Sequence, residues 1–206
     1  MNRRVHPIEA ESYRILRSRI DLSRLTPYRR AVTERVIHAS ADLDYAADLV
    51  VDESTAAAAA RALAGGAPIV ADVAMVASGI TARRPVCRIA DPAATRLAER
   101  AGITRSAAAV RLAFADVGPG AVWVVGCAPT ALTEIIALGV DPLLVVGLPV
   151  GFVGAAESKA ELRASGLPQI SNVSEKGGSA VAAAAVNALL YAPVPADPPG
   201  PARTAG

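Results

Sequence analysis

The chain predicts an α/β protein of three layers, a mostly parallel sheet with helices on both sides. Three observations carry that prediction. Residues 121–126 (AVWVVG) and 143–148 (LLVVGL) are short, wholly apolar runs, the pattern of strands covered on both faces. From residue 68 to residue 190 such runs alternate with capped helical stretches, which is the rhythm of a parallel sheet. Loops rich in glycine, proline and polar residues follow the runs, at the strand ends where ligands sit on such sheets.

Taken in order, Pro7 opens a helix reaching about residue 20. Ile8, Ile15, Leu16 and Ile20 give it one apolar face, and Arg14, Arg17 and Arg19 point outward. Ser12 falls on this helix, and in isolation it reads as an ordinary surface serine. Thr26 is placed to cap a second helix from Pro27 to about His38, with Val32, Val36 and Leu25 on the buried side. Arg35 lies three residues before His38, on the same face. His38 is either a helix C-cap or an acid, because the field at a helix C-terminus favours the protonated ring.

Residues 42–49 predict a short helix in an acidic stretch whose carboxylates lack metal-loop spacing and read as a solvated face. An alanine-rich helix fills 54–63 and stops at Gly65-Gly66. Residues 68–70 predict a strand, 72–79 a turn or short helix, and 85–89 a second strand. Asp91 and Pro92 start a helix that ends at Gly102, and another covers 104–115. Beyond the 121–126 strand come a helix over 129–138, the 143–148 strand, a helix over 155–165, a strand over 169–173 and an alanine-rich helix over 180–190. One domain over 1–190 results. Residues 191–206 carry five prolines and two glycines and predict a disordered tail.

Composition narrows the function. In 206 residues, hydrophobic residues are 52% and aromatics 3%, so close helix packing is available but bulky apolar walls are scarce. A net charge of +2 gives no argument for nucleic acid. Arginine far outnumbers lysine, which suits carboxylate or phosphate ligands, although genome composition has the same effect. Cys87 and Cys127 form no CxxC pair, and with two histidines they make a poor metal inventory. The N-terminus lacks a signal-peptide core, and the apolar run over 180–190 is short of a bilayer span, so the expected location is the cytoplasm and no membrane partner is expected.

No GxGxxG, Walker lysine motif or GxSxG elbow is present. Cys127 follows a covered strand, where a nucleophile could be activated, but no histidine is placed to serve it. Two glycine turns each open onto a helix: residues 151–154 (GFVG) and 176–179 (KGGS). They either make tight turns only, or present free N–H groups to an anion. The loops at Asp72-Val73, 126–130, 149–151 and 174–178 share one end of the predicted sheet, which points to one site. A histidine, arginines, a serine and glycine-rich helix starts suit proton transfer to a large polyanion.

Several segments carry a family resemblance. HPIE with Ser12, RVIH ending at His38, residues 68–79, TRSAAAV from Thr104, APTAL from Ala128, GLPVGFVGAAESK and KGGSAVAAAAVNALL together resemble precorrin-8X methylmutase. The resemblance implies a flavodoxin-like α/β fold and a homodimer with the ligand near the subunit interface. It implies an isomerase of cobalamin biosynthesis, moving a methyl group between neighbouring carbons at ring C of precorrin-8X or cobalt-precorrin-8. The product would be hydrogenobyrinate or its cobalt form, with no dissociable cofactor. His38 would be the catalytic proton donor and acceptor at a ring nitrogen. Ser12, Arg35, Thr104 and Arg105 would contact substrate, and Lys176, Gly177, Gly178 and Ser179 would hold its carboxylates. Met75, Val76, Leu148 and Val150 are the candidate apolar contacts. The chain departs from the family's pattern at Ala74, Cys127, Ser174-Glu175 and Ala39-Ser40-Ala41. Two rival readings are a non-catalytic tetrapyrrole carrier, which Glu175 favours, and an unrelated anion-binding module.

Overall fold

The computed structural model describes residues 6–193. Strands β1 (Leu49–Val51), β2 (Ile69–Ala71), β3 (Val122–Val125), β4 (Leu144–Gly147) and β5 (Gln169–Asn172) form one sheet in the order β1-β5-β4-β3-β2. β2 to β5 run parallel, and β1 joins β5 antiparallel. The helices are α1 (Pro7–Arg19), α2 (Pro27–Ser40), α3 (Tyr45–Asp48), α4 (Glu53–Ala64), α5 (Ala74–Gly79), α6 (Pro92–Ala101), α7 (Arg105–Val117), α8 (Pro129–Leu138), α9 (Ala155–Ala164) and α10 (Ser179–Tyr191).

Alternation along the strands builds two cores. Val122, Val124, Leu144, Val146 and Ile170 pack with α2, α4, α5 and α10. Trp123, Val125 and Val145 pack on the other face with α7, α8 and α9. The predicted three-layer, mostly parallel class is therefore the observed one. Small residues let α10 lie close to its neighbours. A Cβ at Gly79 would stand 2.7 Å from the Ala183 Cβ, and one at Gly126 would stand 2.9 Å from both the Ala182 Cβ and the Ser179 Cα.

Five local expectations need correction. Residues 42–49 are helical only over α3, and Leu49–Val51 is a strand. Apolar, partly β-branched Leu-Val-Val suits a strand, and the preceding Asp48 carboxylate accepts the N–H groups of Val173 and Ser174 and so pins β1 to β5. Residues 85–89 form no strand. Val86 alone bridges to Val70, because Pro85 has no N–H to extend the ladder. On α1 only Leu16 is buried; Ile8 is 75% exposed, and Arg17 is engaged rather than free. Thr26 holds the expected N-cap position of α2, but its side chain bonds Glu53 and caps no helix N–H; Glu53 accepts from the Tyr28 and Arg29 N–H groups at 3.0 and 2.9 Å instead. Tyr191, placed in the tail, closes α10, and its hydroxyl meets Thr81 Oγ1 at 2.8 Å. The rest of the predicted disordered tail, from residue 194, lies outside the described residues.

Gly126→Ala should destabilise the protein by about 1–3 kcal/mol through overpacking, since the new methyl meets the buried Val76 and Ala182 side chains and the Ser179 backbone at once. Urea denaturation measures this, and an unchanged midpoint would contradict the close approach of α10 to β3.

Candidate active site

The site is built where α1 lies along α2. Few apolar groups of α1 are buried, so polar clamps hold it. Arg17 donates to both oxygens of Glu34, at 2.9 and 2.7 Å, and Arg30 adds a third bond at 2.9 Å. Burial disfavours the Glu34 charge, but the two arginines outweigh it and hold the carboxyl below its ordinary range. So docked, α1 brings Ser12 Oγ to 2.8 Å from His38 Nδ1. The Tyr13 ring stacks on His38, with centroids 4.9 Å apart and an interplanar angle of 15°. Arg35 donates to Glu9 at 2.6 Å and lies over the Tyr191 ring. Burial works against the Arg35 charge, but Tyr13 and Glu9 prevail and raise its pKa. With Nδ1 engaged, Nε2 of His38 is the ring nitrogen available to a ligand.

The two glycine turns meet. Gly178 N–H donates to the Leu148 carbonyl at 2.9 Å, and Gly151 N–H to the Glu175 carbonyl at 3.2 Å. A Cβ on Gly177 would fall 2.3 Å from the Leu148 carbonyl oxygen, so only glycine allows this contact. No side chain caps the first turn of α10, which leaves its leading N–H groups open to an anion. Asp72, buried after β2, accepts from the N–H groups of Gly126, Cys127 and Ala128 at 3.2, 2.9 and 3.0 Å. It ties the ends of β2 and β3 together, although burial pushes its carboxyl up. Burial and the Asp72 charge raise the thiols of Cys87 and Cys127, which suits neither as a nucleophile.

Lys176 sits differently from expectation. Its ammonium bonds Asp42 at 2.8 Å and Asp44 at 2.6 Å, which raises its pKa and occupies the charge expected to hold carboxylates. The same ion pairs join the 174–178 loop to the turn that follows α2, so the loop and the His38 end of α2 are neighbours. Thr104 and Arg105 start α7, on the other side of the sheet. Thr104 caps that helix and meets Thr130 Oγ1 at 2.8 Å, and among the described residues neither Thr104 nor Arg105 contacts His38. Val76 and Leu148 are fully buried core residues and cannot wall a ligand; Met75 and Val150 are exposed. A cleft of about 630 Å³ opens beside α5, lined by Ala74, Ala77, Thr81, Arg84 and Cys87. Through the Thr81–Tyr191 bond it adjoins Arg35. Ala41 takes the left-handed φ of 55° that ends α2, within the Ala39-Ser40-Ala41 segment where the resemblance led one to expect glycine.

Tyr13 and Asp48 were not singled out from the sequence, and Glu9 and Asp72 were noted only as parts of the HPIE segment and of a strand-end loop, with no partner. Tyr13 and Glu9 share a helix with Ser12, but their partners lie more than twenty residues away, and no spacing rule connects them. No group of three or more histidine, cysteine or acidic side chains able to hold a metal occurs among the described residues.

The fold and site define a mostly parallel α/β protein with a serine-oriented histidine beside an open helix N-terminus. The model of the family described as CbiC, precorrin-8X methylmutase, matches residues 7–192. A cobalt-precorrin-8 methylmutase of Methanothermobacter thermautotrophicus is 40% identical, over 90% of this chain and 92% of that protein. A precorrin-8X methylmutase of a Sinorhizobium species is 39% identical, over 88% and 92%. The solved precorrin-8X methylmutase of Thermus thermophilus superimposes with a TM-score of 0.80 at 34% identity, covering 90% of this chain and 96% of that one. The chain belongs to the precorrin-8X methylmutase family, and its activity is that of an isomerase catalysing intramolecular methyl migration.

Asp48 gives a pH prediction. Burial opposes its charge, but bonds from Asn172, Ser174 and the Val173 and Ser174 N–H groups prevail and lower its pKa from the ordinary 3.8. A depressed folded pKa means its contribution is present above the ordinary value and lost as pH falls through the folded one. Asp48→Asn should cost about 1–3 kcal/mol at neutral pH. Its stability should also fall less steeply than wild type from about pH 5 to about pH 2. Urea midpoints across that range test both, and parallel curves would contradict this role.

Proposed function

We propose that this protein moves a methyl group between adjacent ring-C carbons of precorrin-8X, or of its cobalt counterpart, giving hydrogenobyrinate or the cobalt form. The Ser12–His38 pair carries the reading, because it engages Nδ1 and leaves Nε2 as the ring nitrogen for proton transfer. His38 gives a proton to a ring nitrogen through Nε2 and takes it back after the shift. One carbon–carbon bond breaks and one forms within the macrocycle, so no electrons are exchanged with another molecule. Ser12 fixes the imidazole by its bond to Nδ1, and Tyr13 supports the ring face. The protonated ring draws electron density from the migrating centre and lowers the barrier.

Arg35, already oriented by Glu9, faces the substrate with Ser12, and the α5 cleft takes part of the macrocycle. Gly177 and Ser179 receive side-chain carboxylates on N–H groups at the start of α10, and Gly178, whose N–H is bonded to the Leu148 carbonyl, holds the turn between them. Lys176 contributes by anchoring this loop rather than as a free cation. Thr104 and Arg105 complete the substrate contacts in a homodimer. Support for association comes from Phe152 and Val153, exposed at 94% and 88% in the loop beside this site. Two free cysteines fit action in the cytoplasm, and no helix among the described residues is long and apolar enough to cross a membrane.

The test mixes purified wild type and His38→Ala with precorrin-8X and follows the visible spectrum. Wild type should give the hydrogenobyrinate chromophore, and the variant should be slower by about a hundredfold or more. Conversion by both at equal rates removes His38 from its role. Tight binding without conversion by wild type favours a carrier.

A further inference from the structure

We infer that Lys159 is a positioning residue for this reaction, holding the loop before α10 in the shape that receives the substrate's carboxylates. The inference rests on the methylmutase reading above. Lys159 lies mid-way along α9 with 0% of its surface exposed. Its ammonium donates to Asn172 Oδ1 at 2.8 Å, to the Lys176 carbonyl at 2.7 Å and to the Ser174 carbonyl. An ammonium has three donors, and all three are used. Asn172 extends the network, donating to Asp48 at 2.7 Å and to the Lys176 carbonyl at 2.9 Å.

The geometry has a direct effect on the loop. In a trans peptide the carbonyl and the next N–H point in opposite directions. Drawing the Lys176 carbonyl inward to Lys159 therefore turns the Gly177 N–H outward, toward the start of α10. Gly178 is fixed independently by its bond to Leu148, so Lys159 sets the one peptide between that anchor and the Lys176 ion pairs. The chain has 21 lysines and arginines, of which only Lys159 and Lys176 are lysine. An arginine fork is planar and cannot converge on three acceptors around one nitrogen, which explains lysine here in an arginine-rich chain.

Charge on Lys159 is conditional. Burial lowers its pKa to about 8; Arg163 pushes the same way, while Asp48 and Glu175 oppose. A neutral amine donates two bonds rather than three and releases one loop carbonyl. Because the folded pKa lies below the ordinary 10.5, deprotonation between the two values adds to folding stability. Substrate affinity and global stability should thus diverge in mild alkali.

The experiment measures steady-state kinetics on precorrin-8X for wild type, Lys159→Met and Asp48→Asn, with amide hydrogen exchange over the 174–178 loop. Loss of contacts to non-reacting carboxylates raises KM and spares kcat. Lys159→Met should raise KM about tenfold or more, keep kcat within about threefold, and speed exchange of the Gly177 and Gly178 amides. Wild-type KM should rise between about pH 7 and about pH 9 without a lower melting temperature, and that rise should be absent in the variant. A folded Lys159→Met with wild-type KM and wild-type exchange overturns the inference. Where Lys159→Met does not fold, a raised KM in Asp48→Asn together with the wild-type pH rise supports it, and a flat wild-type KM overturns it. Absence of conversion by wild type would instead refute the methylmutase reading, and the inference with it.

Discussion

The site depends on one buried carboxylate. Glu34 faces α1 from the middle of α2, nearly inaccessible to water, and receives Arg17 from α1 and Arg30 from its own helix. Without it α1 has little reason to stay, since Leu16 is its one buried apolar residue. With it, Ser12 reaches His38, Tyr13 covers the imidazole and Glu9 orients Arg35. Arg17 and Arg30 are half-exposed, so water screens these pairs, but removing both would leave the buried Glu34 charge without its partners, which costs more than the loss of a surface pair. His38 is thus oriented by an element held on by charge rather than by apolar packing.

The opposite strategy operates around α10. There the contacts are made by methyl groups and bare glycines. Gly79 and Gly126 meet Ala183 and Ala182, and Asn187 caps the end of α5 by donating to the Gly79 carbonyl at 2.8 Å. This close packing brings the start of α10 to the end of β3, and Gly177 lets its leading loop rest on the backbone after β4. A chain with so few aromatics offers a ligand backbone N–H groups, arginines and a cleft lined in part by alanines. On the proposed reading, polar anchoring of a polycarboxylate takes the place of the apolar walls that a flat ligand ordinarily needs.

Much of the layer structure was legible in the sequence, because covered strands and capped helices are local patterns. AVWVVG and LLVVGL read directly as β3 and β4, and Asp91-Pro92 and Gly102 bracket α6. What failed depended on distant partners. Leu49–Val51 is too short to announce a strand, and its pairing with β5 is set by Asp48 reaching residues more than 120 positions away. Pro85 looked like a strand start, but its missing N–H leaves only the Val86 bridge. The ion pairs of Lys176 with Asp42 and Asp44 were not legible either, because those partners are remote in sequence. Lys159 could have been found: Ala155, Ser158 and Leu162 share its face of α9 at helical spacing, so the pattern already turned its charge inward. Glycine turns and His38 pointed to one end of the sheet, and the family resemblance supplied the reaction that geometry alone left open.

The central claim is that His38 and the start of α10 grip one macrocycle between them. The most direct measurement is a crystal structure of the protein with the hydrogenobyrinate product. His38 Nε2 should lie within about 2.7–3.2 Å of a ring nitrogen. A side-chain carboxylate should sit on the N–H groups of Gly177 and Ser179, with the Gly178 N–H still on the Leu148 carbonyl. A macrocycle bound with its ring nitrogens out of reach of His38, or with no carboxylate at the start of α10, would contradict it.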